Sequence, residues 1–171
     1  MKYLYLKILA VIDHYHTLLK VFKLRKQGVL WKKPNLINCY NNISFGCNVY
    51  IGPGAEFMAK GNILIGSNVR IGPNCCIWTE NHNYKSTTHL PYDYDDILKE
   101  VVVEDNVWIG MNVTIAPGVR IKEGSVIALG SVITKDVEAG SIMGGNPAKS
   151  ISMRDMELYH SLKENKKFHI I

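Results

Sequence analysis

The stretch Val103–Glu138, VEDNVWIGMNVTIAPGVRIKEGSVIALGSVITKDVE, repeats its pattern every six residues. Each hexad begins with a large apolar residue: Val103, Ile109, Ile115, Ile121, Ile127 and Ile133. The fourth position of each hexad is Asn, Gly or Asp, and the fifth is Val or Ser. Neither a helix, with a period of 3.6, nor an alternating strand, with a period of 2, produces a spacing of six.

The same period extends toward the N-terminus, with a two-residue slip at Ile63–Leu64. Six earlier hexads also begin with large apolar residues: Phe45, Ile51, Phe57, Ile65, Ile71 and Ile77. Since Asn, Gly and Asp tolerate left-handed backbone, each hexad predicts a short strand followed by a tight corner. One turn per short repeat indicates a solenoid, here of about four coils with three hexads each.

Both ends of such a solenoid expose unpaired backbone and need covers. Residues 1–35 predict a basic amphipathic helix with a linker, because its apolar residues follow one helical stripe. Residues 152–171 predict a C-terminal helix for the same reason. The predicted architecture is therefore an all-β solenoid over 36–151, with a loop at 80–102 and a helix at each end.

The net charge of +5 belongs to the N-terminus. Residues 1–33 hold eight Lys and Arg residues against Asp13 alone, whereas the rest of the chain is slightly acidic. This distribution argues against a nucleic-acid surface across the domain. The basic helix is expected to pack on the solenoid or a neighbouring subunit; a second interpretation places it on an anionic membrane surface. It is too short to span a bilayer.

The four cysteines show no zinc-site spacing, and reduced thiols indicate a cytoplasmic protein, with the inner face of the membrane as the location if the basic helix binds lipid. Only His82 and His89 lie in the repeat region, whereas a carbonic-anhydrase zinc site on a similar solenoid needs three histidines. No metal requirement is expected. A structural trimer without activity remains the non-enzymatic alternative.

The segment Asn106–Lys149 resembles the galactoside and maltose O-acetyltransferase branch of the hexapeptide-repeat acyltransferases, which includes capsule and polysaccharide sugar O-acetyltransferases. The similarity lies in VWIG, GSVITKD and the terminal GGNPAK, together with an Asn-His loop between coils. It covers roughly residues 36–154. This resemblance implies a left-handed parallel β-helix, a homotrimer with active sites between subunits, and acetyl-CoA as co-substrate.

The resemblance also implies which residues meet the cofactor. Trp108 and Met111 would line the acetyl-CoA groove, and Lys149 would lie near the CoA phosphates. Four residues of ALGSVITKD would contact the pantetheine and nucleotide parts: Leu129, Gly130, Thr134 and Lys135. Lysine charges suit phosphate, and glycine permits a close approach of the backbone.

The stretch WTENHNYKSTTH, Trp78–His89, interrupts the repeat and carries the predicted base. His82 matches the histidine of the family's Asn-His loop. A sugar hydroxyl is too weakly acidic to attack a thioester unaided, and a neutral imidazole can take its proton during the attack. Either Glu80 or Asn81 is expected to orient the imidazole. His89 matches no motif.

The predicted function is acetyl-CoA-dependent O-acetylation of a saccharide, by direct transfer, in surface-polysaccharide synthesis. Asn81, Tyr84 and Asp93 are the candidate acceptor contacts, since amide, phenol and carboxylate groups bind sugar hydroxyls. The alternatives are N-acetylation of a nucleotide-linked amino sugar and acetylation of an antibiotic.

Overall fold

The structure is a computed structural model that describes residues 28–32 and 36–170. Within them the chain winds past three parallel sheets in turn, which form the three faces of a solenoid. The predicted helix at the N-terminus lies outside the described residues. No helix in the described part is long and apolar enough to cross a membrane.

The strands are short and repeat from coil to coil. Face one consists of β1 (Val29–Trp31), β4 (Val49–Ile51), β7 (Arg70–Ile71), β12 (Trp108–Ile109), β15 (Val126–Ile127), β17 (Ser141–Gly145) and β18 (Ala148–Met153). Face two consists of β2 (Leu36–Asn38), β5 (Glu56–Met58), β8 (Cys76–Trp78), β13 (Thr114–Ile115) and β16 (Val132–Ile133). Face three consists of β3 (Ile43–Phe45), β6 (Ile63–Ile65), β11 (Val101–Val103) and β14 (Arg120–Ile121).

The predicted solenoid is confirmed, and its first coil starts before the expected boundary at residue 36. Strand β1 pairs in parallel with β4 and β2 pairs in parallel with β5, so β1 and β2 extend the solenoid ahead of β3, the strand that ends at the first hexad leader, Phe45. A short 3-10 helix, Tyr40–Asn42, connects β2 to β3. The described residues therefore hold about five coils.

The interior is filled by the residues that define the repeat. Eleven of the twelve hexad-leading residues are buried, and Phe45 is half-buried against the same core. Leading residues of successive coils lie in register, as Ile51, Ile71, Ile109 and Ile127 do on face one. The core is thus a stack of aliphatic side chains that excludes water along the solenoid axis.

The corners explain why Asn and Gly recur at the fourth position of the hexad. Nine of these residues have positive φ: Asn48, Gly54, Asn68, Asn74, Asn106, Asn112, Gly118, Gly124 and Gly130. At one edge the side chains of Asn48, Asn68 and Asn106 donate along a ladder, at 2.9 and 3.1 Å. The ladder ends where Asn106 Nδ2 donates to the hydroxyl of Tyr159 at 3.0 Å.

The C-terminal segment covers this edge. Strands β17 and β18 form an antiparallel hairpin at the last coil, and helix α1 (Met156–Glu164) follows. The carboxylate of Asp155 caps α1 by accepting from Leu158 N at 3.0 Å. The helix is shorter than the predicted 152–171, since the segment up to Met153 continues β18.

Replacing one core isoleucine should measurably destabilise the solenoid. Ile115 is completely buried, so Ile115→Ala is expected to lower the free energy of unfolding by about 3 kcal/mol through lost burial and a cavity. Thr114→Ala on the same strand, where the side chain faces outward, should change it by no more than about 0.5 kcal/mol. Denaturant unfolding followed by circular dichroism measures both, and equal losses would contradict this account of the core.

Candidate active site

The predicted loop is a β-hairpin that leaves the solenoid at the corner between faces two and three. Its strands are β9 (Glu80–His82) and β10 (Asp96–Leu98), which pair antiparallel. The register places His82 directly opposite Asp96. The hairpin therefore brings together two residues that are far apart in sequence.

The base of the hairpin is fixed to the preceding coil by Thr79. This buried hydroxyl donates to Met58 O at 2.7 Å and accepts from Gly61 N at 2.8 Å. The returning chain joins at the same point, where Lys99 N donates to Thr79 O at 2.7 Å. Buried polar groups that are fully hydrogen-bonded hold a single arrangement, so the hairpin leaves the solenoid in a defined direction.

The imidazole of His82 contacts the carboxylate of Asp96, with 3.2 Å between Nδ1 and Oδ1. The other carboxylate oxygen, Oδ2, accepts from the ammonium of Lys60. This hydrogen bond from Lys60 lowers the pKa of Asp96 below its ordinary value, so the carboxylate is ionised at neutral pH. Because an ionised carboxylate only accepts, Nδ1 of neutral His82 is the donor and Nε2 keeps its lone pair.

Tyr92 holds the imidazole from a second direction. The two rings are stacked with 4.0 Å between centroids and 11° between planes. The side chain of His82 remains 58% exposed, so its Nε2 is accessible to a substrate. A fixed ring with an accessible lone pair is the arrangement that a general base requires.

The orienting residue differs from the two that the sequence suggested. Asp96, rather than Glu80 or Asn81, is the carboxylate or amide side chain hydrogen-bonded to His82. Glu80 and Asn81 precede the histidine on β9 itself, whereas the facing strand supplies its partner. The sequence pointed to Asp93 alone among the carboxylates of this segment, and only the hairpin register shows that Asp96 meets the imidazole.

The predicted acceptor contacts have different surroundings. Asp93 uses both oxygens within the hairpin, accepting from Asp95 N at 3.0 Å and from Asn83 Nδ2 at 2.7 Å. The bond from the Asp95 amide is the main cause that lowers the pKa of Asp93. Asn81 and Tyr84 are exposed on the same hairpin as His82. His89 lies farther along the hairpin, with Nδ1 at 2.9 Å from Thr88 Oγ1.

The predicted cofactor residues are all exposed on the later coils. Trp108 projects from face one, and Met111 and Leu129 follow at the corner between faces one and two. Gly130 N donates to Met111 O at 2.9 Å, and a Cβ on Gly130 would meet no atom within 4 Å. A φ of +70° explains why glycine occupies position 130, and the surface beside it is open.

These residues fall into two groups on one chain. Thr134 and Lys135 follow β16 at the corner between faces two and three, as the His82 hairpin does after β8. Trp108 lies on face one, and Lys149 lies on β18 at the end of that face. A single chain therefore does not bring His82 and Trp108 onto the same face.

A groove of about 630 Å³ that the sequence did not single out runs between face one and the C-terminal segment. Tyr50 and Trp108 from the sheet and Phe168 from the C-terminal segment supply aromatic walls, and Arg70 and Lys167 supply positive charge. Arg70 is held by Asn48 O and His169 O. The residues that line the groove come from distant coils, so no local pattern predicted it.

No group of three or more His, Cys, Asp or Glu side chains in the described ranges could hold a metal ion. The cysteines of the described part, Cys39, Cys47, Cys75 and Cys76, are free thiols. Burial raises the pKa of Cys75 to about 11, so this thiol is protonated and packs as a small apolar residue.

Comparison with known proteins relates this arrangement to a family. Residues 100–135 match the family described as bacterial transferase hexapeptide (six repeats). The galactoside O-acetyltransferase of Escherichia coli is 30% identical over 138 residues, covering 80% of this chain and 67% of that protein. The galactoside O-acetyltransferase of Lactococcus lactis is 33% identical over 121 residues, covering 69% and 58%.

A solved structure agrees with the fold. The hexapeptide-repeat acetyltransferase of Vibrio cholerae, in complex with acetyl coenzyme A, superposes with a TM-score of 0.66 at 32% identity, covering 76% of this chain and 73% of that one. Such structural relatives are left-handed β-helix acetyltransferases, which confirms the predicted left-handed parallel β-helix. This chain spans between about half and three quarters of the length of its relatives. It belongs to the hexapeptide-repeat acetyltransferases.

Proposed function

We propose that this protein transfers an acetyl group from acetyl-CoA to a saccharide hydroxyl, with His82 as the general base. The observation that carries the proposal is the bond from His82 Nδ1 to an ionised Asp96, which leaves Nε2 as an accessible acceptor. The acetyl-CoA complex of the Vibrio cholerae relative and the galactoside O-acetyltransferase relatives support the co-substrate and the acceptor class.

The transfer requires no covalent enzyme intermediate. His82 Nε2 accepts the proton of the acceptor hydroxyl while its oxygen bonds to the thioester carbon. A backbone N–H of a neighbouring coil donates to the resulting oxyanion. The carbon–sulfur bond then breaks, and the imidazolium returns its proton to the leaving CoA thiolate. Asp96 stabilises the imidazolium between these steps because its charge faces Nδ1–H.

The cofactor is proposed to lie along the exposed later coils. Trp108 and Met111, with Leu129 and Gly130, offer an apolar surface and open backbone to the pantetheine arm. Thr134, Lys135 and Lys149 offer hydroxyl and ammonium groups to the phosphates. No acid pairs with either lysine among the described residues, so their charges are available to a ligand.

The active site is proposed to form between subunits of a homotrimer. On one chain the His82 hairpin and Trp108 lie on different faces, so one chain alone offers an incomplete site. Cyclic symmetry resolves this by placing the base-bearing edge of one copy against face one of the next. The arrangement joins both groups without moving either.

The acceptor is proposed to be part of a surface polysaccharide or its precursor. Asn81 and Tyr84 are exposed on the hairpin that carries the base and can bind a sugar, whereas both carboxylate oxygens of Asp93 are hydrogen-bonded within the hairpin. N-acetylation of a nucleotide-linked amino sugar and acetylation of an antibiotic would use the same base and co-substrate. Cytoplasmic location and membrane contact through residues 1–33 stay predictions. Residues 1–27 and 33–35 lie outside the described part.

Replacing the base should abolish transfer without unfolding the protein. His82→Ala is expected to lower kcat for acetyl transfer by about 100- to 10,000-fold, the usual contribution of a general base. His89→Ala is the matched control and should retain activity, because the hydrogen bond and the ring contact of its imidazole are with Thr88 and Tyr94 of the same hairpin. A thiol-release assay with acetyl-CoA and a panel of sugars, amino sugars, nucleotide sugars and chloramphenicol measures both variants. Equal activity of His82→Ala and wild type would overturn the proposed mechanism.

Mixing two impaired variants tests the site between subunits. His82→Ala lacks the base, and Trp108→Ala lacks a cofactor contact on another face. If equal amounts of the two variants assemble at random, about a quarter of all sites would combine an intact His82 with a neighbour's intact Trp108, which is one site in every mixed trimer. Co-refolding should therefore restore activity at an acetyl-CoA concentration where each variant alone is inactive. No restoration in confirmed mixed trimers would place both residues in one subunit's site.

A further inference from the structure

The corner between β5 and β6, one coil before the hairpin, departs from the repeat at Lys60. The fourth residue of the hexads is Asn, Gly or Asp at ten of twelve places, and the exceptions are Lys60 and Glu80. Lys60 does not adopt positive φ, and Asn62 takes that conformation two residues later. The regular corner is thus displaced along the chain, which leaves Lys60 with an ordinary backbone and a long charged side chain.

The backbone around Lys60 is fixed from both sides. Asn42 Nδ2 donates to Lys60 O at 3.1 Å, and Gly61 N donates to Thr79 Oγ1 at 2.8 Å. A Cβ on Gly61 would lie 2.6 Å from Thr79 O and 2.9 Å from Lys99 N. Only glycine permits this close approach, so the corner is packed directly against the base of the hairpin.

The position of Lys60 decides what its ammonium meets. It donates to Asp96 Oδ2, whereas Asp96 Oδ1 accepts from His82 Nδ1. The bond to Asp96 also raises the pKa of Lys60, so its charge is retained, and the other titratable groups acting on it are Glu80 and Cys39. Lys60, Asp96 and His82 form a continuous line from the solenoid to the accessible Nε2.

We propose that Lys60 is a positioning residue that orients Asp96 and thereby sets the tautomer of His82. This inference rests on the proposed function for its catalytic meaning, though not for its geometry. A carboxylate with one partner is free to rotate; a second hydrogen bond, from the Lys60 ammonium, restrains both oxygens of Asp96. With Asp96 restrained, the proton of neutral His82 stays on Nδ1. Without it, the imidazole also populates the form protonated at Nε2, which cannot accept from a hydroxyl.

Three variants test this line on the full-length protein. Lys60→Met is expected to lower kcat about 10-fold with an unchanged KM for acetyl-CoA, since only the base is affected. Lys60→Arg should restore most of kcat, because a guanidinium also donates to a carboxylate. In an Asp96→Asn background, Lys60→Met should have no further effect, as expected when one residue acts through the other.

A spectroscopic measurement separates this inference from the proposed function. In protein labelled with ¹⁵N-histidine, the imidazole signals of His82, assigned by comparison with His82→Ala, should show the Nδ1–H tautomer in wild type and a mixture in Lys60→Met. Lys85→Met is the matched control, because Lys85 lies on the same hairpin and faces Tyr84 instead of Asp96. Thermal melting checks that each variant folds.

The outcomes are distinct. The role of Lys60 is overturned if Lys60→Met keeps the wild-type tautomer and kcat. It is also overturned if Lys85→Met shows the mixed tautomer and the lowered kcat that are expected of Lys60→Met. If wild type transfers no acetyl group to any acceptor, the proposed function fails, and the tautomer measurement still decides whether Lys60 orients the pair.

Discussion

The structure depends on one constraint: every six residues the chain must turn a corner while keeping one large apolar side chain inside. Left-handed backbone at Asn or Gly makes the corner, and the leading residue, Ile115 for example, fills the axis. Because each strand before β17 is only two or three residues long, the pairing of a solenoid strand is stable only when the coils above and below supply partners. The aliphatic stack and the parallel ladders therefore form together.

This regular scaffold makes the exceptions to it informative. Where the repeat is uninterrupted, outward side chains form flat faces, and Trp108 stands exposed on one of them with Leu129 exposed at the adjoining corner. Where it is broken after Thr79, the chain builds a hairpin with internal hydrogen bonds, and where it is broken at Lys60, a corner packs against the base of that hairpin. The scaffold thus supplies rigid faces, and the interruption supplies the titratable groups of the hairpin. Placing reactive groups on a rigid support limits the loss of geometry through motion.

The arrangement of three faces around one axis explains why a single chain holds only part of the proposed active site. A solenoid with three faces spreads its corners around the axis, so groups on different faces point away from each other. Two such solenoids side by side can bring a corner of one against a face of the other, and a cyclic trimer repeats this contact three times. In this view the basic and aromatic groove beside α1 also lies at the margin of the proposed subunit contact, because Trp108 lines it.

The sequence by itself determined the solenoid, the stack of aliphatic side chains in its core and the residue types at the corners. All three follow from a local period that every hexad repeats. The sequence also indicated His82, because the interruption and its motif are local features. Only the tertiary structure decided that Asp96 binds the imidazole, that Lys60 binds Asp96, and that Val29–Trp31 is already a strand of the solenoid. Those contacts join residues separated by 14 or more positions, and their register depends on how the hairpin returns and how coils stack. No local pattern encodes that register, which is fixed by packing across the whole solenoid.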